Sequence, residues 1–90
     1  MAIDVVFMSC DGMSFQHGLT TPYREERTIK RAMIECARRV VAMVDHSKFG
    51  QVATVRVAPI GRVHRVITDD LVPAHELELL RDQGVGVDIA

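Results

Sequence analysis

Four short segments hold the side chains that could do chemistry. Cys10-Asp11-Gly12, Asp45-His46-Ser47-Lys48 and Thr68-Asp69-Asp70 each follow an apolar run, and Gly18-Leu19-Thr20-Thr21-Pro22 leads into a stretch of helical periodicity. Carboxylates and hydroxyls exchange hydrogen bonds with sugar hydroxyls, and the ammonium of Lys48 is a point charge for an anionic group. The set suits a polyol phosphate. Free backbone N–H groups and threonine hydroxyls ahead of a helix can also receive phosphate or carboxylate oxygens. Any one aspartate after a strand is more often a turn former, and a threonine before a helix is more often its cap. Repetition at three segment ends is what gives the ligand reading its weight.

No catalytic constellation assembles beside these residues. His17, His46, His64 and His75 are scattered, and Ser9, Ser14 and Ser47 lack a nucleophile-elbow context. The HExxH, GxxxxGK[ST] and GxGxxG patterns do not occur, so no metal, nucleotide or dinucleotide cofactor is expected. Cys10 and Cys36 suit neither a disulfide scaffold nor a zinc ribbon and read as two buried thiols in a reducing interior. A net charge of -1 removes the electrostatic footprint of general nucleic-acid affinity, so this chain alone is not expected to hold DNA. The longest apolar run, Val40 to Val44, is far short of the roughly 20 residues of a membrane span, and the N-terminus lacks a signal-peptide pattern. A cytoplasmic location without a membrane partner is expected.

The elements that must position these segments follow from periodicity. Ninety residues with 48% hydrophobic and 26% charged composition fit one small domain with a packed core. Ile3 to Ser9 is nearly continuously apolar and reads as a strand buried on both faces. Gly12 to Tyr23 reads as a long loop, with Gly12 and Gly18 at positive φ. Between Arg24 and Arg39, Ile29, Ala32, Met33, Cys36, Ala37 and Val40 recur at steps of three and four, which predicts an amphipathic helix. Thr20 or Thr21 would cap it, and Arg38 and Arg39 would lie at its negative end. Val40 to Val44 is a second buried strand, Asp45 to Gly50 a polar turn or single helical turn, and Val52 to Val57 a short strand or cover segment. Val63 to Thr68 is a third strand, Pro73 to Gln83 a helix stopped by Gly84, and Val85 to Ile89 the last extended piece. Strands alternating with helices imply an α/β fold with a mostly parallel sheet and right-handed crossovers. In such sheets ligands bind beyond the carboxyl ends of the strands, where the polar segments lie.

Taken in order, Ser9-Cys10-Asp11-Gly12, Gly18-Leu19-Thr20-Thr21-Pro22, Ile29-Lys30-Arg31-Ala32-Met33-Ile34, Asp45-x-Ser47-Lys48-Phe49-Gly50 and Val66-Ile67-Thr68-Asp69 carry a resemblance. The chain resembles the C-terminal effector domain of DeoR-type bacterial transcriptional regulators over essentially its whole length. Its most specific parts are the KRAMI helix and the D-x-S-K-F-G turn. The resemblance implies a Rossmann-like sheet with flanking helices, similar to ribose-5-phosphate isomerase and the coenzyme A transferases. It also implies sensing of a phosphorylated sugar or related metabolite, which controls DNA binding by an N-terminal winged helix-turn-helix. Asp11, Gly12, Gly18, Leu19, Thr20 and Lys48 would then form the effector site, supported by Asp45, Ser47, Thr68 and Asp69. Where the family often has aspartate two residues after the first glycine, this chain has Ser14.

The isomerase likeness sets a test for catalysis. Those enzymes carry a DGADE motif, a lysine- and glycine-rich loop, and a catalytic glutamate upstream of a similar turn. Here the corresponding stretches are Asp11-Gly12-Met13-Ser14-Phe15 and Gly18-Leu19-Thr20-Thr21. Ungapped matching back from Asp45 puts Lys30 near the glutamate position, whereas a short insertion brings Glu26 there. A lysine charged at neutral pH is a poor base for proton abstraction, so binding without catalysis is expected. No helix-turn-helix lies ahead of Ile3, and the first half of the family's sensor domain is missing too. Residues 1–90 therefore read as a C-terminal fragment of that domain, expected to work as a homo-oligomer. A phosphosugar isomerase and a truncated oligomerisation module are the alternatives.

Overall fold

In the computed structural model, which describes residues 3–90, the β-branched runs pair into a four-stranded parallel sheet. Its strands are β1 (Ile3–Met8), β4 (Ala37–Met43), β6 (Arg65–Thr68) and β7 (Gly86–Ile89), in the spatial order β1-β4-β6-β7. Val6 lies beside Val40, Ala42 beside Val66, and Val66 beside Val87. The order advances in one direction, and α1 (Arg24–Cys36) and α2 (Ala74–Asp82) supply the first and last crossovers. The result is the α/β, Rossmann-like arrangement expected from the sequence.

Both helices serve the same face of this main sheet. One core joins Val6, Met8, Val40, Ala42 and Val66 to Ile34 of α1 and Leu80 of α2. Right-handed crossovers that always step to the next strand in one direction must stay on one side, which explains the arrangement. The opposite face carries Ile3, Val5, Phe7, Arg39, Val41, Met43, Arg65, Ile67 and Asp88, set side by side by the strand register. Phe7 is 58% exposed and Met43 49%. The expectation that the first strand is buried on both faces is therefore corrected: its alternate residues Ile3, Val5 and Phe7 are exposed.

The expected loop from Gly12 to Tyr23 is also corrected. It holds β2 (Gly12–Ser14) and β3 (Gly18–Thr21), a hairpin that pairs antiparallel with β5 (Val55–Ala58) in a second, three-stranded sheet. All residues of β3 are buried, and Met13, Leu19 and Val57 enter the main core. Gly18 has φ 73°, as its role in the turn suggested. Gly12 does not: it is required for space, because a Cβ there would collide with the Gln51 carbonyl oxygen and the Thr20 hydroxyl.

Helix α1 ends at Cys36, three residues before the predicted limit, because Ala37 is already extended at φ -92° and ψ 143°. Arg38 and Arg39 thus belong to β4 and not to the helix terminus. The packed side of α1 is also rotated from the predicted stripe. Ile34 is buried, while Ile29 is 61% exposed and Cys36 lies on the surface. Long polar side chains reach back over the protein instead: Lys30 donates to the Ser9 carbonyl, and Arg31 Nε donates to the Val57 carbonyl at 2.7 Å. Two buried thiols become one, Cys10. Helix α2 stops as expected, with Gly84 at φ 81° and the Val85 N–H donating to the Leu80 carbonyl at 3.0 Å.

Candidate functional site

The carboxyl ends of β1, β4 and β6 are neighbours because the strands are, so Asp11, Asp45 and Asp69 lie along one edge of the main sheet. At the first of these ends the chain turns into the small sheet. The Asp11 N–H donates to the Thr20 carbonyl at 3.1 Å, and the Thr20 hydroxyl donates to the Gly12 carbonyl at 3.3 Å. That hydroxyl also accepts from the Ala53 N–H at 2.9 Å, so Thr20 stitches the hairpin to the connector. Leu19 is fully buried in the core.

Thr21 sits between two acids. Its hydroxyl lies 3.2 Å from Asp11 Oδ2 and 2.5 Å from Glu26 Oε2, and it accepts from the Tyr23 N–H at 3.4 Å. A hydroxyl has one proton, so only one carboxylate is served at a time and the other keeps its acceptor capacity. Tyr23 is the N-cap of α1, without a side-chain cap bond; the predicted cap Thr21 is occupied by the acids. Lys30, one turn beyond Glu26, holds the end of β1 through the Ser9 carbonyl. The polar cluster at the end of β1 is thus Asp11, Thr21, Glu26 and Lys30. From the sequence, Thr21 is a cap or an anion-receiving hydroxyl ahead of the helix, and Glu26 and Lys30 are rival matches to an enzyme position; nothing there brings the three together with Asp11. The i, i+4 spacing of Glu26 and Lys30 on the first turns of a helix was the available signal.

The second and third strand ends are bound to each other. Asp45 caps the short 3₁₀ turn His46–Lys48, accepting from the Ser47 N–H at 3.0 Å and from the Ser47 hydroxyl. The Ser47 hydroxyl and N–H hold the Asp45 carboxyl below its ordinary range, with Lys48 adding to the effect. Asp69 accepts from the His46 N–H at 3.1 Å and lies 2.8 Å from His46 Nδ1. This contact raises the imidazole pKa above its ordinary value and lowers that of the Asp69 carboxyl. Among the described residues, the Lys48 ammonium makes no hydrogen bond or ion pair. The turn that carries it is docked on the small sheet through the Gly50 N–H, which donates to the Met13 carbonyl at 2.8 Å.

Thr68 is buried at 4% exposure, and its hydroxyl has no hydrogen-bond partner among the described residues. An unsatisfied buried hydroxyl costs about 1–3 kcal/mol, which makes it an uncommon feature to find at a strand end. Cys10, beside Asp11, is pushed up to about 11 by burial, so its thiol is protonated and a poor nucleophile at neutral pH. The histidines stay apart: His17 is in the β2–β3 turn beside Ser14, His46 on Asp69, His64 ahead of β6, and His75 in α2 beside Glu76. Among the described residues no helix is long and apolar enough to cross a membrane.

The edge therefore offers carboxylate and hydroxyl acceptors at β1, a histidine–aspartate clasp joining β4 to β6, and one lysine whose charge is unspent. Comparison with known proteins bears on what such an edge serves. Over 84 residues the chain is 32% identical to a putative aga operon transcriptional repressor of Escherichia coli O157:H7, covering 93% of this chain and 31% of that protein. It is 32% identical over 88 residues to the HTH-type transcriptional regulator IolR of Bacillus subtilis, covering 98% of this chain and 35% of the relative. The glycerol-3-phosphate regulon repressor of Escherichia coli K12 is 42% identical over 67 residues, 74% of this chain and 26% of that protein. The chain thus spans about a third of the length of the regulators it matches. The family model of the DeoR C terminal sensor domain matches residues 1–70. The chain belongs to the DeoR C-terminal sensor-domain family.

Proposed function

We propose that this chain is the C-terminal part of the effector-sensing domain of a DeoR-type regulator, and that it binds a phosphorylated sugar or related metabolite at the carboxyl edge of the main sheet. The observation that carries the reading is the convergence of Asp11, Asp45 with Ser47 and Lys48, and Thr68-Asp69 on one edge of a parallel sheet. Asp11 accepts sugar hydroxyls, and Gly12 and Gly18 keep the hairpin close enough for backbone contact. Leu19 and Thr20 set the wall, and Lys48 pairs with the phosphate. Asp45 and Ser47 hold the lysine turn, while Thr68 and Asp69 support it from β6.

In this reading the chain is a sensor and not an isomerase, and it works as a homo-oligomer. DNA is contacted by an N-terminal domain outside these residues. Occupancy shifts DNA binding only to the extent that the effector binds the two states of the oligomer with different affinity. A name such as glycerol-3-phosphate regulon repressor for one relative supports a phosphorylated polyol as the ligand class. Calorimetric titration of the complete sensor domain with a panel of phosphosugars tests the proposal. Binding of one of them, weakened about tenfold or more by Lys48→Ala, is expected. If none binds, or the variant binds equally well, the assignment fails.

A further inference from the structure

The turn that carries Lys48 holds one more group with an unused bonding position. Asp69 is spent on that turn and on its own loop. Its Oδ2 accepts from the His46 N–H at 3.1 Å and lies 2.8 Å from His46 Nδ1, and its Oδ1 accepts from the Leu71 N–H at 3.0 Å. A carboxylate can only accept, so the Nδ1 that faces it carries a proton. The other ring nitrogen, Nε2, has no partner among the described residues, and the imidazole side chain is 44% exposed, so an anion can reach it. With Nδ1 protonated, Nε2 of the neutral ring is a lone pair that turns an anion away. In the imidazolium the same nitrogen is an N–H donor, and a charge-assisted one.

The charges around the turn give that choice its weight. Asp45 before the turn, with Asp69 and Asp70 just beyond β6, set three carboxylates about His46. Lys48 is the one ammonium on the turn. A phosphate dianion paired with Lys48 alone would therefore sit in a net negative field. The Asp45 carboxyl, held first by Ser47, is further favoured as an anion by Lys48 and by His46, so both cationic side chains act on one point of the turn.

We propose that the His46 imidazolium is the second cation of the effector site: it donates from Nε2–H to the anion that Lys48 holds, and effector affinity depends on a proton taken up at His46. This role rests on the effector reading above and adds to it a residue and a regulation. Asp69 acts through His46 as a positioning residue, fixing which ring nitrogen is presented. The charged groups that face the imidazole are Asp69 and Asp70 from the end of β6 and Asp45 from its own turn, with Lys48 two residues further on. The three carboxylates favour the charged ring, Asp69 most. Anion affinity is accordingly highest below the raised pKa of His46 and falls as pH rises through it.

All of these groups lie within the 90 residues, so the chain itself is the sample. Sulfate is the probe, because it stays a dianion between about pH 5.5 and about pH 8.5 and leaves any pH dependence to the protein. In calorimetric titration at constant ionic strength, its affinity is expected to fall about fivefold or more across that range. His46→Gln is expected to bind at the alkaline wild-type level throughout, and Lys48→Ala about tenfold or more weakly than wild type at the acid end. By reciprocity, saturating sulfate raises the pKa of His46 in the unsubstituted chain, read from the imidazole Cε1 proton resonance. Sulfate held through Lys48 with an affinity that is flat or rises with pH, or with an unchanged His46 titration, overturns the role of His46 and leaves the effector reading standing. Sulfate held equally well by Lys48→Ala overturns both. Sulfate that binds at neither pH overturns the two-cation site, and the phosphosugar panel decides the effector reading separately.

Discussion

The two sheets of this protein are held by different physics. The parallel sheet is held by volume: Val6, Val40 and Val66 fill a core with α1 and α2, and their β-branched side chains suit the pleat. The antiparallel sheet is held by backbone conformation and single polar atoms. Gly18 turns through a left-handed conformation, Gly12 admits the Gln51 carbonyl, and the Thr20 hydroxyl ties β2, β3 and the connector together. Their outer edges differ as well. Arg31 donates to the Val57 and Arg56 carbonyls along β5, whereas Lys30 donates to the Ser9 carbonyl just beyond β1. The scaffold is the part that tolerates exchange of one apolar residue for another, and the site region is the part that does not.

That contrast can be broken most directly at Gly18. Gly18→Ala must place a Cβ at positive φ and against the Ala58 carbonyl oxygen, so a loss of about 3 kcal/mol or more is expected in urea denaturation. Val66→Ala, at a fully buried position of the parallel sheet, is expected to cost about 2 kcal/mol by the same measurement. If the valine change proves the more damaging, the small sheet is an appendage and the contrast collapses.

The smallest effect sharpens the contrast at the strand ends. Asp69 raises the pKa of His46, so the stabilisation from the imidazolium is complete below its ordinary value of 6.5 and is lost as pH rises through the raised value. His46 lowers the pKa of Asp69, so the carboxylate's contribution is present above 3.8 and is lost as pH falls through the lowered value. The urea midpoint of the wild type should therefore exceed that of Asp69→Asn most clearly near about pH 5.5, and the gap should narrow as the solution becomes alkaline. A gap independent of pH would mean that Asp69 acts only through the His46 and Leu71 N–H groups.

The difference in physics also decides what could be read from the sequence. The parallel strands were legible because Val5, Val6, Phe7, Val40 and Val41 announce themselves by type, and Gly84 marks the end of α2. The small sheet was not. Gly18-Leu19-Thr20-Thr21 has the composition of a loop, and its strand state depends on Val55 and Arg56, far along the chain. The open face was hidden for a related reason: an apolar residue in a strand does not say whether anything packs on it, as Phe7 shows. Within the site, Asp11, Asp45 and Asp69 were legible as strand-end acids. The role of Thr21 between Asp11 and Glu26 was not, because it depends on where α1 begins relative to β1.

The one-directional strand order has a consequence for how the molecule forms. Each strand of the main sheet pairs with the one made before it, so the sheet can grow in the order of synthesis, with each crossover closing a loop of modest length. The hairpin that shapes the site is the exception, since β3 waits for β5 while α1 and β4 are already in place. Because β5 precedes β6 and β7 in the chain, the connector can dock onto β3 before the main sheet is complete, so the candidate site and its scaffold are finished together.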